Sequence, residues 1–316
     1  MRVAAVDCGT NSVRLLIADV HDDVLDDVER RMEIVRLGQG VDKTGRLAPD
    51  ALERTFKAMR AYRGLIDRHG ATATRVVATS ATRDAANRAE FVAGVREIFG
   101  VEPEVVSGSE EAELSFTGAT RGLVRLSPET EMPQGPLPPY LVVDIGGGST
   151  EFVVGSKHAE AALSVDIGCV RLTERHLRDD EDPPSALALE AVVADIEEAL
   201  DRVEAEVPVR RAHTLVGLAG SVTTMAGIAL ELPSYDSARI HHSQMSSAQV
   251  HDVTRRLLAM THGERAEVPV MHPGRVDVIG AGALILDRIV RRFGFSQVVV
   301  SEHDILDGIA WSLASS

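Results

Sequence analysis

Two short phrases hold the residues best suited to chemistry: VAAVDCGTNSVRLLIADV near the N-terminus and YLVVDIGGGSTEFVVGSK in mid-chain. At a constant offset of 137 residues, Asp7 falls on Asp144, Gly9 on Gly146, Ser12 on Ser149 and Arg14 on Glu151. In each phrase an apolar run ends on Asp, breaks at a Gly-bearing turn and resumes as a second apolar run. That is the pattern of two adjacent strands joined by a tight turn. Glycine lets the turn approach a ligand closely, successive turn N–H groups converge on an anion, and the Ser hydroxyl adds a donor. An Asp beside a phosphate requires a cation between them. The phrase therefore reads as a phosphate site with a divalent metal, said once by each half of the chain.

Water attacking phosphorus also needs a positioned carboxylate base and fixed positive charge. In SGSEEAEL, Glu110 and Glu111 follow a Ser-Gly turn at a helix start, which Ser109 can cap and whose dipole keeps both ionised. Taken alone, the segment reads more simply as acids in a first helical turn. In ATSATRDAAN, Arg83 lies just after a strand, where α/β ligand crevices form, and a surface salt bridge is its plainer reading. Gly220 and Ser221 of GLAGSVTT open a helix whose N-terminal N–H groups suit an anion.

Other chemistries fail on context. The Gly turn of DIGGGS is followed by a strand, not by the helix of a dinucleotide fingerprint. GVDKTGR puts Arg46 and Leu47 where a P-loop needs Lys and Ser or Thr. No zinc-hydrolase His spacing occurs, and no G-x-S-x-G elbow accompanies Ser12, Ser149 or Ser221. Cys8 and Cys169 give no disulfide framework, and Cys8 reads as buried filler.

The elements that must position these groups alternate between strand and helix, as in a layered α/β sheet. RMEIVRL is a third strand, and a helix runs from Pro49 to about His69. TRVVATS is a strand, DAANRAEFVAGVREIFG a helix stopped by Gly100, and EPEVVSG a strand before the SEEAEL helix. LSPETEMPQGPLPP holds five of the thirteen prolines and reads as a surface loop or hinge. The second half repeats the plan, with helices after Gly168, from Ser185, near 246–260 and 276–293, then the strand QVVVSE and a closing helix. Two similar lobes with a cleft between them follow from the repetition.

A chain of 316 residues suffices for two cores, and 44% hydrophobic with 26% charged content is ordinary for a soluble protein. No apolar stretch approaches the ~20 residues of a membrane span, and no signal core opens the chain, so a cytoplasmic location is expected. A net charge of −15 argues against general nucleic-acid binding. The acid run Asp22, Asp23, Asp26, Asp27 and Glu29 reads as a solvated hairpin end. Between Arg239 and Arg292 there are eight Arg, five acids and five His, a candidate basic track or an ordinary amphipathic surface.

Taken in order along the chain, DCGTNS, ATSATRDAAN, SGSEEAEL, DIGGGSTE and GLAGSVTT resemble the exopolyphosphatase and guanosine pentaphosphate phosphohydrolase family. The resemblance implies the actin, Hsp70 and sugar-kinase fold, an α/β fold of two RNase-H-like lobes with an interdomain cleft. The N-terminal lobe would span 1–125 with the closing helix 303–316, the Pro-rich loop 126–139, and the C-terminal lobe 140–302. It also implies residue roles. Asp7, Gly9, Asn11 and Ser12 look like one phosphate loop, and Gly146, Gly147, Gly148 and Ser149 like the other, with Gly220 and Ser221 beside them. Glu111 looks like the catalytic Glu, with Glu110 the runner-up by position. Arg83 looks like the Arg that steadies the terminal phosphate, and Asp144 and Glu151 look like the carboxylates associated with Mg2+, or Mn2+ in its place.

The implied reaction releases terminal orthophosphate from inorganic polyphosphate, or the 5′ γ-phosphate from guanosine pentaphosphate, and a homodimer is expected. A sugar-kinase-like phosphotransferase would need an Asp base, and a nucleotide- or alarmone-binding sensor would bind without turnover. Where the family commonly has D-x-x-L-R-E-G, EHDILDG places Leu306 and Asp307 at the Arg and Glu positions.

Overall fold

The computed structural model describes residues 1–21, 24–123, 135–177 and 181–314. Most of the Pro-rich stretch, together with Asp22 and Asp23, lies outside the described residues. The chain divides into two compact units, Met1–Gly118 with Ile305–Ser316, and Ala119–Asp304.

The first unit contains β1 (Arg2–Cys8), β2 (Ser12–His21), β3 (Val24–Ile34), α1 (Val41–Thr44), α2 (Pro49–His69), β4 (Ala73–Ala78), α3 (Ser80–Asp84), α4 (Arg88–Phe99), β5 (Glu104–Val105) and α5 (Gly108–Thr120). Its sheet runs β3-β2-β1-β4-β5, antiparallel between the first three strands and parallel from β1 onward. The apolar run Val3–Val6 is continuous because both faces of β1 are covered. Ala4, Val6 and Cys8 face the core shared with α2 and α4, while Val3 and Ala5 face the closing helix. Pro49 opens α2, and Gly70 closes it in the left-handed conformation at φ 67°.

The second unit contains β6 (Tyr140–Ile145), β7 (Thr150–Gly155), β8 (Ala159–Val165), α6 (Cys169–Leu172), α7 (Ala186–Glu206), β9 (Thr214–Leu218), α8 (Ala219–Ala229), α9 (Ser237–Ile240), β10 (Gln244–Ser246), α10 (Ser247–Ala259), α11 (His262–Ala266), α12 (Ile279–Phe293) and β11 (Gln297–Val300). Its sheet order is β10-β11-β9-β6-β7-β8. Read from β8, its first four strands repeat the third-second-first-fourth order of the other sheet, and β11 then β10 extend it beyond. One core packs α7, α8, α10 and α12 against this sheet.

The closing helix α13 (Ile305–Ala314) belongs to the first unit. Leu306, Ile309, Ala310 and Trp311 pack on Val3, Ala5, Leu16 and Val77. A Cβ on Gly308 would collide with the Leu114 carbonyl, so only glycine lets α13 approach α5 this closely.

Candidate active site

The duplicated phrases form equivalent turns. Gly9 N–H donates to the Ser12 carbonyl at 3.0 Å, and Gly146 N–H donates to the Ser149 carbonyl at 3.0 Å. Each turn is then tied down by the segment after its third strand. In the first, the Thr10 carbonyl accepts from Gly38 N–H and the Asn11 carbonyl from Val35 and Arg36 N–H. In the second, the Gly146 carbonyl accepts from Cys169 N–H, the Gly147 carbonyl from Val170 and Arg171 N–H, and the Gly148 carbonyl from Arg171 Nε at 2.7 Å. A trans peptide points its N–H opposite its carbonyl. Fastening these carbonyls therefore turns the N–H groups of Asn11 and Ser12, and of Gly147, Gly148 and Ser149, the other way, as an anion nest requires. Gly168 makes the second fastening possible, because a Cβ there would overlap the Gly147–Gly148 peptide.

Glu111 and Glu110 have separate fates. Glu111, 8% exposed, accepts from Arg83 Nη1 at 3.0 Å, and the same nitrogen donates to the Val106 carbonyl at 3.0 Å. A carboxylate so held keeps its direction. Arg83, expected to meet phosphate, thus has Glu111 as its immediate partner from the end of α3. Glu110 is exposed and accepts from Ser107 N–H and Oγ, both at 2.9 Å, while its own N–H donates to Ser107 Oγ. This is a reciprocal cap at the start of α5. Backbone and hydroxyl donation from Ser107 holds the Glu110 carboxyl below the usual carboxylate range. The cap is therefore Ser107, not Ser109, and Glu110 serves the helix end.

The strand-end acids differ between the halves. Asp7 pairs in register with Arg14, whose Nη2 lies 2.6 Å and Nε 2.9 Å from Asp7 Oδ2. Asp144 pairs in register with Glu151. Glu151 Oε1 accepts from Ser149 Oγ and Ser164 Oγ, both at 2.7 Å. Two adjacent carboxylates fit Mg2+ or Mn2+, which are commonly held by one or two carboxylates plus water and phosphate. Among the described residues no group of three or more His, Cys, Asp or Glu forms a metal cage. Burial pushes the Cys8 thiol well up, reinforced by Asp7, and burial also raises Cys169. Both thiols are buried, unlike the partly exposed, electropositive setting of a reactive cysteine.

The sequence profile of the Ppx/GppA phosphatase family matches residues 16–316. The chain belongs to the Ppx/GppA phosphatase family. It is 47% identical over 326 aligned positions to Exopolyphosphatase 2 of Mycobacterium tuberculosis, covering 99% of this chain and 98% of that protein. A crystal structure of an exopolyphosphatase-like protein matches with a TM-score of 0.91 at 41% identity, covering 99% of this chain and 97% of that one. The guanosine-5′-triphosphate,3′-diphosphate pyrophosphatase of Vibrio cholerae is 25% identical over 98% of this chain, which spans 59% of that protein. As a Ppx/GppA protein the chain is a hydrolase, built of two units that each carry a mixed sheet.

Other expected features of this Ppx/GppA chain find different surroundings. Gly220 lies under the Arg275 guanidinium, and Arg275 Nη1 donates to Thr224 Oγ1 at 3.2 Å. Ser221 is buried against Gly282 and Cys169. Most Arg residues between Arg239 and Arg292 have acidic partners, in keeping with the ordinary amphipathic surface of the two readings. Arg288 and Arg292 bind Glu197, Arg292 also binds Asp201 and Glu204, Arg291 binds Asp287, Arg255 and Arg256 bind Asp252, and Arg265 binds Asp182. Leu306, at the family's Arg position, is buried in the first unit's core, and the adjacent Asp307 pairs with Arg30 at 2.6 Å. Arg14, Ser164 and Arg275 escaped the sequence reading. Only Arg14 left a signal there, as the mismatch against Glu151 in an otherwise matching repeat.

Proposed function

We propose that the chain is an exopolyphosphatase that hydrolyses terminal orthophosphate from inorganic polyphosphate. The observation that carries this reading is Glu111, a shielded carboxylate locked by Arg83 in the unit that also carries the first phosphate turn. Glu111 orients the attacking water and takes its proton. The bond from the terminal phosphorus to the bridging oxygen breaks, and orthophosphate leaves. Arg83 is a positioning residue for that carboxylate. The N–H groups of the turn shaped by Asp7, Gly9, Asn11 and Ser12 hold phosphate oxygens in the first unit, and those of Gly146 to Ser149 form a phosphate site of the second unit. Asp144 and Glu151 would hold Mg2+ or Mn2+, which supplies charge neutralisation to the phosphate chain when bound.

Polyphosphate is favoured as substrate because the relative at 47% identity is an exopolyphosphatase over its full length. The Vibrio cholerae relative supports a second reading, removal of a phosphate from guanosine pentaphosphate by the same groups. Steady-state kinetics on both substrates separate the two. A higher kcat/KM for polyphosphate is expected, and a higher value for guanosine pentaphosphate would reverse the assignment.

A further inference from the structure

We infer that Arg14 is the first unit's built-in replacement for the divalent cation that the second unit takes from solution. The two units place the same row of side chains across three strands. In the second, Asp144 on β6 opposes Glu151 on β7, and Glu151 opposes Ser164 on β8. In the first, Asp7 on β1 opposes Arg14 on β2, and Arg14 opposes Met32 on β3. Directly opposed residues of antiparallel strands project from one face, so the rows are spatially as well as sequentially equivalent.

Their chemistry is inverted at the middle position. The second row brings two carboxylates together, and hydroxyls from Ser149 and Ser164 orient one of them. The first row sets a guanidinium on the Asp7 carboxylate through two N–H groups, and it has a thioether where the second has the Ser164 hydroxyl. A guanidinium stays charged at every physiological pH and cannot dissociate. The first turn is thus neutralised permanently, while the second is neutralised only when a cation binds. The cation requirement of the molecule then resides in one half of a duplicated site, and the duplication does not carry two metals.

This inference rests on the proposed cation role of Asp144 and Glu151, and its test separates the two. The full chain is titrated with Mn2+, the free ion being followed by electron paramagnetic resonance. The expected result is one Mn2+ per chain, lost in Glu151→Gln and retained in Asp7→Asn. Arg14→Glu, which copies the second row's acid pair into the first, is expected to add a second bound Mn2+. Two Mn2+ in the wild type with one lost in Asp7→Asn would overturn the inference while leaving the Asp144–Glu151 site standing. A folded Arg14→Glu protein, checked by its circular dichroism, that still binds one Mn2+ would also overturn it. If that variant does not fold, the Asp7→Asn result decides alone. A single Mn2+ that survives Glu151→Gln, or no Mn2+ bound at all, would remove the cation reading itself.

Discussion

The two adjacent glutamates show how one residue step separates chemistry from structure. Glu111 is buried and faces Arg83, whereas Glu110 is exposed and closes the end of α5. Glu110→Ala should cost about 1 kcal/mol of stability, as loss of a cap does, and leave phosphate release near the wild-type rate. Thermal melts and a phosphate assay check this together. Arg83→Met should lower kcat far more than it raises KM, because the turns still bind phosphate while Glu111 loses its direction. A drop of about 10²-fold corresponds to a misplacement of ~1 Å. A pure KM effect would instead place Arg83 on the substrate. The family resemblance ranked Glu111 ahead of Glu110, but the residues alone gave no physical ground for the ranking, which needs the β4–α3 and β5–α5 junctions brought together.

At the scale of elements, the α5 cap carries a pH signature. Ser107 lowers the Glu110 carboxyl, so its stabilisation is present above the unfolded value of ~4.3 and is lost as pH falls through the lower folded value. Comparing wild type with Glu110→Gln in melts at pH 7 and pH 3 should show a gap that closes in acid. The strand pairs were legible because apolar runs broken by Gly turns admit few readings, and Pro49 and Gly100 marked helix ends correctly. Register was not legible. That Ser164 opposes Glu151, or Met32 opposes Arg14, depends on hydrogen bonding between strands joined by loops of unpredicted length. The short α9, β10 and α11 carry too few residues for periodicity to register.

At the scale of the whole molecule, the chain returns at its end to complete the unit in which it began. Asp307 is buried and paired with Arg30, which also binds Asp27. Burial works against the Arg30 charge, and the two aspartates more than restore it, raising its pKa. Asp307→Ala should destabilise by about 1–3 kcal/mol, less than a fully buried pair because Arg30 remains partly exposed and keeps Asp27. Denaturant unfolding checks that value. The acidic net charge is reconciled with a polyanion substrate at this scale too. Sequence counting suggested a basic track, but six of those eight arginines have acidic partners: Arg288 and Arg292 on α12 meet acids of α7, Arg265 meets Asp182, and Arg255, Arg256 and Arg291 meet acids within four residues. On the proposed function, phosphate recognition would fall to turn N–H groups and to a cation held by Asp144 and Glu151.

The most direct test of this account is orthophosphate release from medium-chain polyphosphate in the presence of Mg2+, comparing wild type with Glu111→Gln. Turnover that falls by about 10²–10⁴ in the variant, the loss expected of a general base, with the fold intact by circular dichroism, is the predicted result. Wild-type turnover unchanged by Glu111→Gln would contradict the account.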